Sequence, residues 1–157
     1  MISIIIPVYN HAEELTLCLK SIAAQTYQDY EIIIVDDGSV PSLDAQKVQE
    51  GIKFFRQENK GAPVARNVGC KYSHGEYVMF CDADVLMVPE MLRKMLHALQ
   101  EHPQAAYVYS GFRLGHKAMP SFAFSAERLR KMPYIHTTSL MRREAFPGWD
   151  EHIKKFQ

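Results

Sequence analysis

Along residues 1–110, short apolar runs alternate with longer stretches in which apolar residues recur at helical spacing. Short, almost wholly apolar and often β-branched runs are typical of strands that are covered on both faces. Such runs predict strands at Ile2–Val8, Tyr30–Val35, Ile52–Arg56, Tyr77–Cys81 and Ala105–Ser110. Between them, apolar residues recur at helical spacing in stretches that begin near Ala12, Ala62 and Pro89. This alternation predicts an α/β fold with a mainly parallel central sheet and helices on both faces.

Beyond Phe112 the pattern loosens, because glycines and prolines interrupt it. Here the sequence predicts loops, a short helix near Ser125–Lys131, a strand near His136–Met141 and a helical turn at Arg142–Phe146. No internal repeat or linker divides the chain. We therefore expect a single domain over residues 1–157.

The composition excludes several classes of protein. The 157 residues are 47% apolar and 23% charged, an ordinary globular balance, and the net charge of zero argues against nucleic-acid binding by bulk positive charge. No apolar run is long enough for a membrane span, and no signal peptide is evident, so we expect a cytoplasmic protein. Cys18, Cys70 and Cys81 are odd in number and widely spaced, which favours reduced thiols.

The neutral net charge hides an asymmetry between two parts of the chain. Residues 1–112 contain nine basic and fourteen acidic residues, whereas residues 113–157 contain nine basic and four acidic ones. A basic C-terminal part could contact an anionic membrane or acceptor, so peripheral membrane contact stays open. The simpler interpretation, which we favour, is two unlike solvated surfaces.

Polar residues follow the ends of three predicted strands. They are Tyr9–Asn10, Asp36–Asp37 and Asp82–Asp84. In parallel sheets these ends meet at one edge, where ligands bind. Clustered carboxylates repel one another unless a positive charge lies among them, and Mg²⁺ or Mn²⁺ bound to a phosphorylated ligand fits that need. In an extended segment, Asp82 and Asp84 would project to the same side and reach one metal or its waters.

A second candidate ligand-binding motif is the segment NKGAPVARNVG, residues 59–69. Arg66 and Asn67 lie about one turn into the predicted helix. A helix N-terminus beside a guanidinium suits an anion such as a diphosphate. The alternative is that Arg66 pairs with a strand-end aspartate and only stabilises the edge of the sheet.

Other kinds of site lose support. The Asp36–Asp37 pair would suit a phosphoacceptor site, but no lysine at a late strand end is evident to complete it. The seven histidines show no close metal-binding spacing. No glycine-rich phosphate loop follows the first strand, which disfavours dinucleotide binding and ATP hydrolysis by those motifs.

Five stretches of the sequence form a series. They are SIIIPVYN (3–10), SIAAQTYQDYEIIIVDDGS (21–39), NKGAPVARNVG (59–69), GEYVMFCDAD (75–84) and TTSLMRREAF with GWDE (137–151). In this order they resemble the family 2 glycosyltransferases, which have the GT-A nucleotide-sugar fold. The resemblance implies a three-layer sandwich in which residues 1–111 bind the donor and residues 112–157 begin an incomplete acceptor part.

The resemblance also implies roles for residues at the predicted edge. Pro7, Val8 and Tyr9 would line the nucleotide pocket. Asp37, or less favourably Asp36, would accept a hydrogen bond from the uracil ring of a UDP-sugar.

Arg66 would hold the base or the diphosphate. In the segment Asp82-Ala83-Asp84, Asp82 would contact the ribose or metal-bound water, and Asp84 would ligate Mn²⁺ or Mg²⁺. The metal would neutralise charge on the departing diphosphate. The family inverts the anomeric carbon, as a carboxylate deprotonates the acceptor hydroxyl. The acceptor would be a saccharide or a lipid-linked molecule.

The catalytic base is not assigned to any residue of this sequence. In the family it lies in an acidic motif after the segment that reads GWDEHIKKFQ here, so we expect it beyond Gln157. Asp150 and Glu151 match the acids that precede that motif. We therefore expect a truncated chain that binds a donor, and dimerisation through the face that the absent part would cover stays open.

Two alternative functions follow from these observations. The first is a nucleotide-sugar-binding module without turnover, because the base is not in this sequence. The second is a nucleotidyltransferase, which the lack of a glycine-rich, basic loop after the first strand disfavours.

Overall fold

A mainly parallel β-sheet forms the centre of the fold. The computed structural model describes residues 1–44, 50–132 and 134–152. The strands there are β1 (Ile2–Val8), β2 (Tyr30–Asp36), β3 (Lys53–Arg56), β4 (Tyr77–Phe80), β5 (Tyr107–Val108), β6 (Phe112–Leu114), β7 (Lys117–Met119) and β8 (Leu140–Arg142). Within the described residues, one sheet has the order β3–β2–β1–β4–β8–β5, and β6 and β7 form a separate hairpin.

Strand β1 lies between β2 and β4 and is parallel to both. Strand β3 adds in parallel to β2, whereas β8 runs antiparallel to its neighbours β4 and β5. The carboxyl ends of β1 to β4 therefore share one edge of the sheet, as the sequence predicts.

Three helices follow the parallel strands β1, β3 and β4, and a short helix and a 3-10 turn come later in the chain. They are α1 (Ala12–Ala23), α2 (Ala62–Lys71) and α3 (Met91–Glu101), and later α4 (Ala126–Lys131) and a 3-10 turn (Arg143–Ala145). Each lies where the sequence predicts a helix or helical turn. The Ser125 hydroxyl caps α4 by accepting the Arg128 N–H.

Alternate residues of the strands pack on opposite faces of the sheet. On one face, Ile4 and Ile6 pack in a cluster with residues of α1 and α3, such as Ile22 and Leu92. On the other face, Ile5 packs with a cluster that includes Ala65 of α2. The result is a three-layer sandwich.

Helix α2 approaches the sheet closely at Gly69. A Cβ atom there would collide with Cγ2 of Ile5, so the missing side chain lets the helix backbone lie against β1. This close packing holds the preceding turn of α2, with Arg66, near the carboxyl edge of the sheet.

The C-terminal part departs from the predicted pattern in detail. Strand β5 covers only the centre of Ala105–Ser110, and β8 begins later than the strand predicted at His136–Met141. The His136 ring accepts the Thr138 N–H, and the His136 carbonyl accepts the Ser139 hydroxyl, so this stretch forms a local turn instead of pairing. The β6–β7 hairpin, which turns at Gly115 with φ +56°, lies in a region where we predicted loops.

In the part of the chain that the structure covers, no helix combines the length and the apolar content that crossing a membrane requires.

At the opposite edge of the sheet, Glu31 collects several hydrogen bonds. Its carboxylate accepts from the Ser3 hydroxyl at 2.7 Å, the Lys53 ammonium at 2.8 Å and the Gly75 N–H at 3.2 Å. Burial raises the pKa of Glu31, but hydrogen bonds from Lys53, the His74 N–H and Ser3 outweigh burial and lower the pKa from 4.5 to about 2.

We expect this network to lose its stabilising effect in acid. Because the pKa is lower in the folded chain than in the unfolded chain, the stabilisation is complete above about pH 5 and disappears as the pH falls towards about 2. Glu31→Gln should lower the free energy of unfolding at pH 7 by about 2 kcal/mol. Urea unfolding at several pH values should show this difference shrinking below about pH 4.5. The control is Glu13→Gln, an exposed change; a pH-independent loss for Glu31→Gln would contradict the assignment.

Candidate functional site

The turns after β1 and β2 are joined by hydrogen bonds at the carboxyl edge of the sheet. The Asp37 N–H donates to the Val8 carbonyl at 2.8 Å. The Asn10 N–H donates to the Ser39 hydroxyl at 3.0 Å, and the Asn10 side chain accepts the Val40 N–H at 2.8 Å. Asn10 has φ +59°, a conformation that asparagine tolerates better than most residues.

Tyr9, which directly follows β1, has a side chain that is available to a ligand. Its side chain is exposed, whereas Pro7 and Val8 are buried. Of the three residues expected to line the nucleotide pocket, Pro7 and Val8 can therefore contribute mainly backbone atoms, and Tyr9 can contribute a ring.

Asp36 lies inside the fold. It is fully buried, forms an ion pair with Arg56 and accepts the Ser39 N–H at 2.9 Å. Removing one partner of a buried ion pair leaves an uncompensated charge, which is strongly destabilising. Asp36 therefore stabilises the end of β2 against β3.

Asp37 holds the loop that leads into α2. Its carboxylate accepts three hydrogen bonds, from the Gln57 amide at 2.7 Å and from the N–H groups of Lys60 and Gly61 at 2.9 Å each. The N–H groups just before α2 thus donate to a carboxylate of the protein. They lie close to where the sequence predicts that a diphosphate binds.

Arg66 forms an ion pair with Asp82. Its Nη2 lies 2.6 Å from Asp82 Oδ1, and the Thr137 hydroxyl donates to Asp82 Oδ2 at 3.1 Å. The arginine side chain is 10% exposed and the aspartate 34%. Of the two interpretations of Arg66, pairing with an aspartate at the end of a strand is the contact that is observed. Both carboxylate oxygens of Asp82 have protein partners.

The segment after β4 is a turn. The Val85 N–H donates to the Asp82 carbonyl at 3.1 Å, with Ala83 and Asp84 between them. The expectation that residues 82–84 are extended is therefore wrong, and extended geometry no longer places both carboxylates on one side. Ala83 is buried, whereas Asp84 is exposed and has no hydrogen-bond or ion-pair partner among the described residues.

The acids at this edge do not form a metal site from protein ligands alone. Over the described ranges, no group of three His, Cys, Asp or Glu side chains is placed to hold a metal ion. Magnesium-like ions often take only one or two protein carboxylates and complete their shell with water and phosphate oxygens. Asp84 fits such an ion, while Asp82 is engaged by Arg66 and Thr137.

Two thiols lie beneath the Asp82 turn. The Sγ atoms of Cys18 and Cys81 are 3.8 Å apart, and both lie within reach of the Asp82 carbonyl. The hydrogen bond between the thiols lowers the pKa of Cys18 and raises that of Cys81, which burial raises further. These thiols and Cys70 are free, as the sequence predicts.

Thr137 and Trp149 are site neighbours to which the sequence analysis gave no role. The Trp149 ring lies 4.8 Å from the Arg66 guanidinium carbon, a cation–π distance worth about 0.5–2 kcal/mol. Both residues belong to the stretches TTSLMRREAF and GWDE that carry the resemblance, but residue spacing alone does not show that these stretches fold back onto α2 and β4.

Comparisons with known proteins identify the family. The model of glycosyl transferase family 2 matches residues 3–147, and the chain belongs to that family. GlyG, a glycosyltransferase of Streptococcus pneumoniae serotype 4, is 37% identical over 107 residues, which are 64% of this chain and 36% of that protein. An uncharacterized glycosyltransferase of Haemophilus influenzae is 36% identical over 111 residues, which are 69% of this chain and 38% of that protein. The chain thus spans little more than a third of the length of these relatives.

Solved structures share the GT-A fold. S. aureus TarS, residues 1–349, superposes with a TM-score of 0.81 at 24% identity, covering 99% of this chain and 52% of that TarS fragment. The mannosyltransferase PcManGT of Pyrobaculum calidifontis, solved with GDP-Man and Mn²⁺, superposes with a TM-score of 0.71 at 19% identity, covering 96% of this chain and 48% of PcManGT. At these identities the likeness shows the fold, which confirms the predicted GT-A architecture.

The contrast between Asp37 and Asp84 predicts that replacing Asp37 destabilises the fold much more than replacing Asp84. Asp37→Ala leaves three hydrogen-bond donors unpaired and should lower the free energy of unfolding by about 2–4 kcal/mol. Asp84→Ala removes an exposed carboxylate without a described partner and should change the free energy by no more than about 0.5 kcal/mol. Urea unfolding at pH 7 measures both, and similar losses for the two variants would rule out this division of roles.

Proposed function

We propose that this chain is the donor-binding part of a glycosyltransferase and that it binds a nucleotide-diphosphate sugar, with UDP as the nucleotide. Residues 1–111 form the donor part and residues 112–157 begin the acceptor part. The observation that carries the proposal is that the turns after β1, β2 and β4 leave the sheet at one edge, where Tyr9 and Asp84 are exposed and Arg66 forms an ion pair with Asp82. Membership of the family supports the reaction class.

The nucleoside lies between the turns after β1 and β2. The Tyr9 ring and the backbone of Pro7 and Val8 contact the nucleobase. Asp37 accepts a hydrogen bond from uracil with its remaining lone pair, because a carboxylate has about four acceptor sites and three are used. Both aspartates are buried, and we assign Asp36 a supporting role because its two carboxylate oxygens already bind the Ser39 N–H and Arg56.

The ribose and diphosphate lie over the turn at residues 82–85. Arg66 faces the diphosphate or base with the donor groups that Asp82 does not use, and Asp82 contacts the ribose or metal-bound water. Asp84 would hold Mn²⁺ or Mg²⁺ beside the diphosphate. A bound divalent cation supplies Lewis-acid neutralisation of the leaving diphosphate.

The donor choice rests on the solved neighbours. TarS has been solved with UDP and with UDP-GlcNAc, and PcManGT with GDP-Man. TarS in its UDP complex superposes with a TM-score of 0.75 at 25% identity, which favours UDP here. We propose an inverting transfer to a saccharide or lipid-linked acceptor, at a cytoplasmic site or at the inner face of a membrane.

A second candidate function is binding without turnover. Its support is that the two acids nearest to where the family's base is expected already have partners. The Asp150 carboxylate accepts the His152 N–H at 2.9 Å, which lowers the pKa of Asp150, and Glu151 accepts from the Asn67 amide at 2.8 Å. The lowered pKa makes Asp150 a weaker base, and we assign neither residue to proton abstraction.

We expect a nucleotide and a metal to stabilise this chain together. A ligand that binds only the folded state raises the unfolding temperature by mass action. UDP, GDP and TDP are compared with and without Mn²⁺ by thermal unfolding, and Kd is measured by calorimetry. UDP with Mn²⁺ should give the largest shift, and Asp84→Asn should remove the metal dependence while Glu101→Gln, at the exposed end of α3, leaves it intact.

Two results would contradict the proposal. If no nucleotide changes the unfolding temperature of the unaltered chain, it does not contain a working donor site. If Asp84→Asn binds UDP with unchanged metal dependence, the metal is not held by Asp84. Transfer of sugar from UDP-sugar to an added saccharide acceptor would exclude the candidate function without turnover.

A further inference from the structure

The indole of Trp149 packs against both elements that hold the Arg66–Asp82 ion pair. Its ring lies 4.8 Å from the Arg66 guanidinium carbon on α2. It also meets the ring of Phe80, the last residue of β4, edge to face at a centroid distance of 5.4 Å. Since Asp82 follows Phe80 by two residues, Trp149 links the helix that carries the cation to the strand that leads into the turn with the anion.

The side chain of Asn67, the residue after Arg66, forms two hydrogen bonds with the backbone of Trp149. The Trp149 N–H donates to Asn67 Oδ1 at 2.8 Å, and Asn67 Nδ2 donates to the Trp149 carbonyl at 2.9 Å. The same Nδ2 donates to Glu151 Oε1 at 2.8 Å. The Asn67 amide thus accepts from the backbone N–H of Trp149 and donates to its backbone carbonyl, which fixes the position from which the indole meets Arg66.

Two donors in this cluster are buried and unpaired within the part of the chain that is described. They are Nε of Arg66 and Nε1 of Trp149. Native structures usually satisfy buried donors, and exceptions call for an explanation such as a functional site. A contact made only for stability would be expected to pair these N–H groups, so their state favours a role in arranging the site.

We propose that Trp149 is a positioning residue for the nucleotide-sugar site. The inference rests on the proposed function. The indole confines the Arg66 guanidinium from one side, the guanidinium binds Asp82 Oδ1, and Thr137 binds Asp82 Oδ2. Trp149 therefore orients Asp82 through Arg66, and a segment far along the chain from the donor-binding turns controls their geometry.

Phe146 provides a matched control for Trp149. Its ring packs on the same Phe80 ring at a centroid distance of 5.0 Å and lies 6.4 Å from the Trp149 ring, but within the described residues it has no ring contact with Arg66. Trp149→Leu and Phe146→Leu both remove aromatic packing from Phe80, and only Trp149→Leu also frees the guanidinium. Trp149→Phe keeps an aromatic face beside Arg66.

The first readout is the Kd of UDP with Mn²⁺, measured by calorimetry at a temperature where every variant is folded. Trp149→Leu should weaken UDP binding by about tenfold, whereas Phe146→Leu should change Kd by less than about threefold and Trp149→Phe should restore most of the affinity. In an Arg66→Ala background, Trp149→Leu should cause no further weakening, because its effect passes through Arg66. Equal effects of Trp149→Leu and Phe146→Leu would overturn the inference.

The second readout needs no nucleotide, so it separates this inference from the proposed function. Trp149 is the only tryptophan in the sequence, and its fluorescence therefore reports on this cluster alone. Asp82→Asn weakens the ion pair without changing a residue that touches the indole. It should alter the emission and increase acrylamide quenching, whereas Asp84→Asn should change neither. An Asp82→Asn spectrum identical to that of the unaltered chain would overturn the coupling even if UDP binds, and failure of UDP binding alone would overturn only the proposed function.

Discussion

The parallel pairing of β1 with both β2 and β4 is the constraint on which the rest of the structure depends. Every residue of Ile2–Val8 is buried, so both faces of this strand must be covered by helices. The registers place Val8 opposite Asp36 and Ile5 opposite Phe80. The turns after three strands consequently emerge at one edge, and their acidic residues are brought together by strand order.

The repulsion among these acids is relieved in a different way for each one. Asp36 is neutralised by Arg56 inside the fold, and Asp37 by N–H groups before α2. Asp82 is bound by Arg66 and by Thr137. Asp84 is exposed, and in the described residues it lacks such a partner, which is why we propose that it meets the metal and diphosphate of a donor. The partners of Asp36, Asp37 and Asp82 support the edge of the sheet, and in our proposal Asp37 and Asp82 also contact the donor.

The sequence predicted where strands end better than what their ends touch. The runs Ile2–Val8 and Tyr30–Val35 were predicted to within a residue, because β-branched apolar runs covered on both faces leave a clear pattern. Asp36 and Asp37 are adjacent, yet their partners come from β3 and from the loop before α2, which local pattern does not reveal. The contact of Trp149 with Arg66 likewise depends on tertiary packing. The turn at residues 82–85 was missed because an Asp-x-Asp segment suits both a turn and an extended end.

Amide NMR spectra recorded with UDP and trace Mn²⁺ test the central claim, that the carboxyl edge of the sheet binds a metal and a nucleotide together. Paramagnetic Mn²⁺ broadens the signals of nuclei close to it. We predict that the amides of Ala83, Asp84 and Val85 broaden first and only when UDP is present, while that of Glu31, at the opposite edge, stays sharp. Broadening that begins elsewhere, such as near Asp150, or that is the same without UDP, would contradict the account.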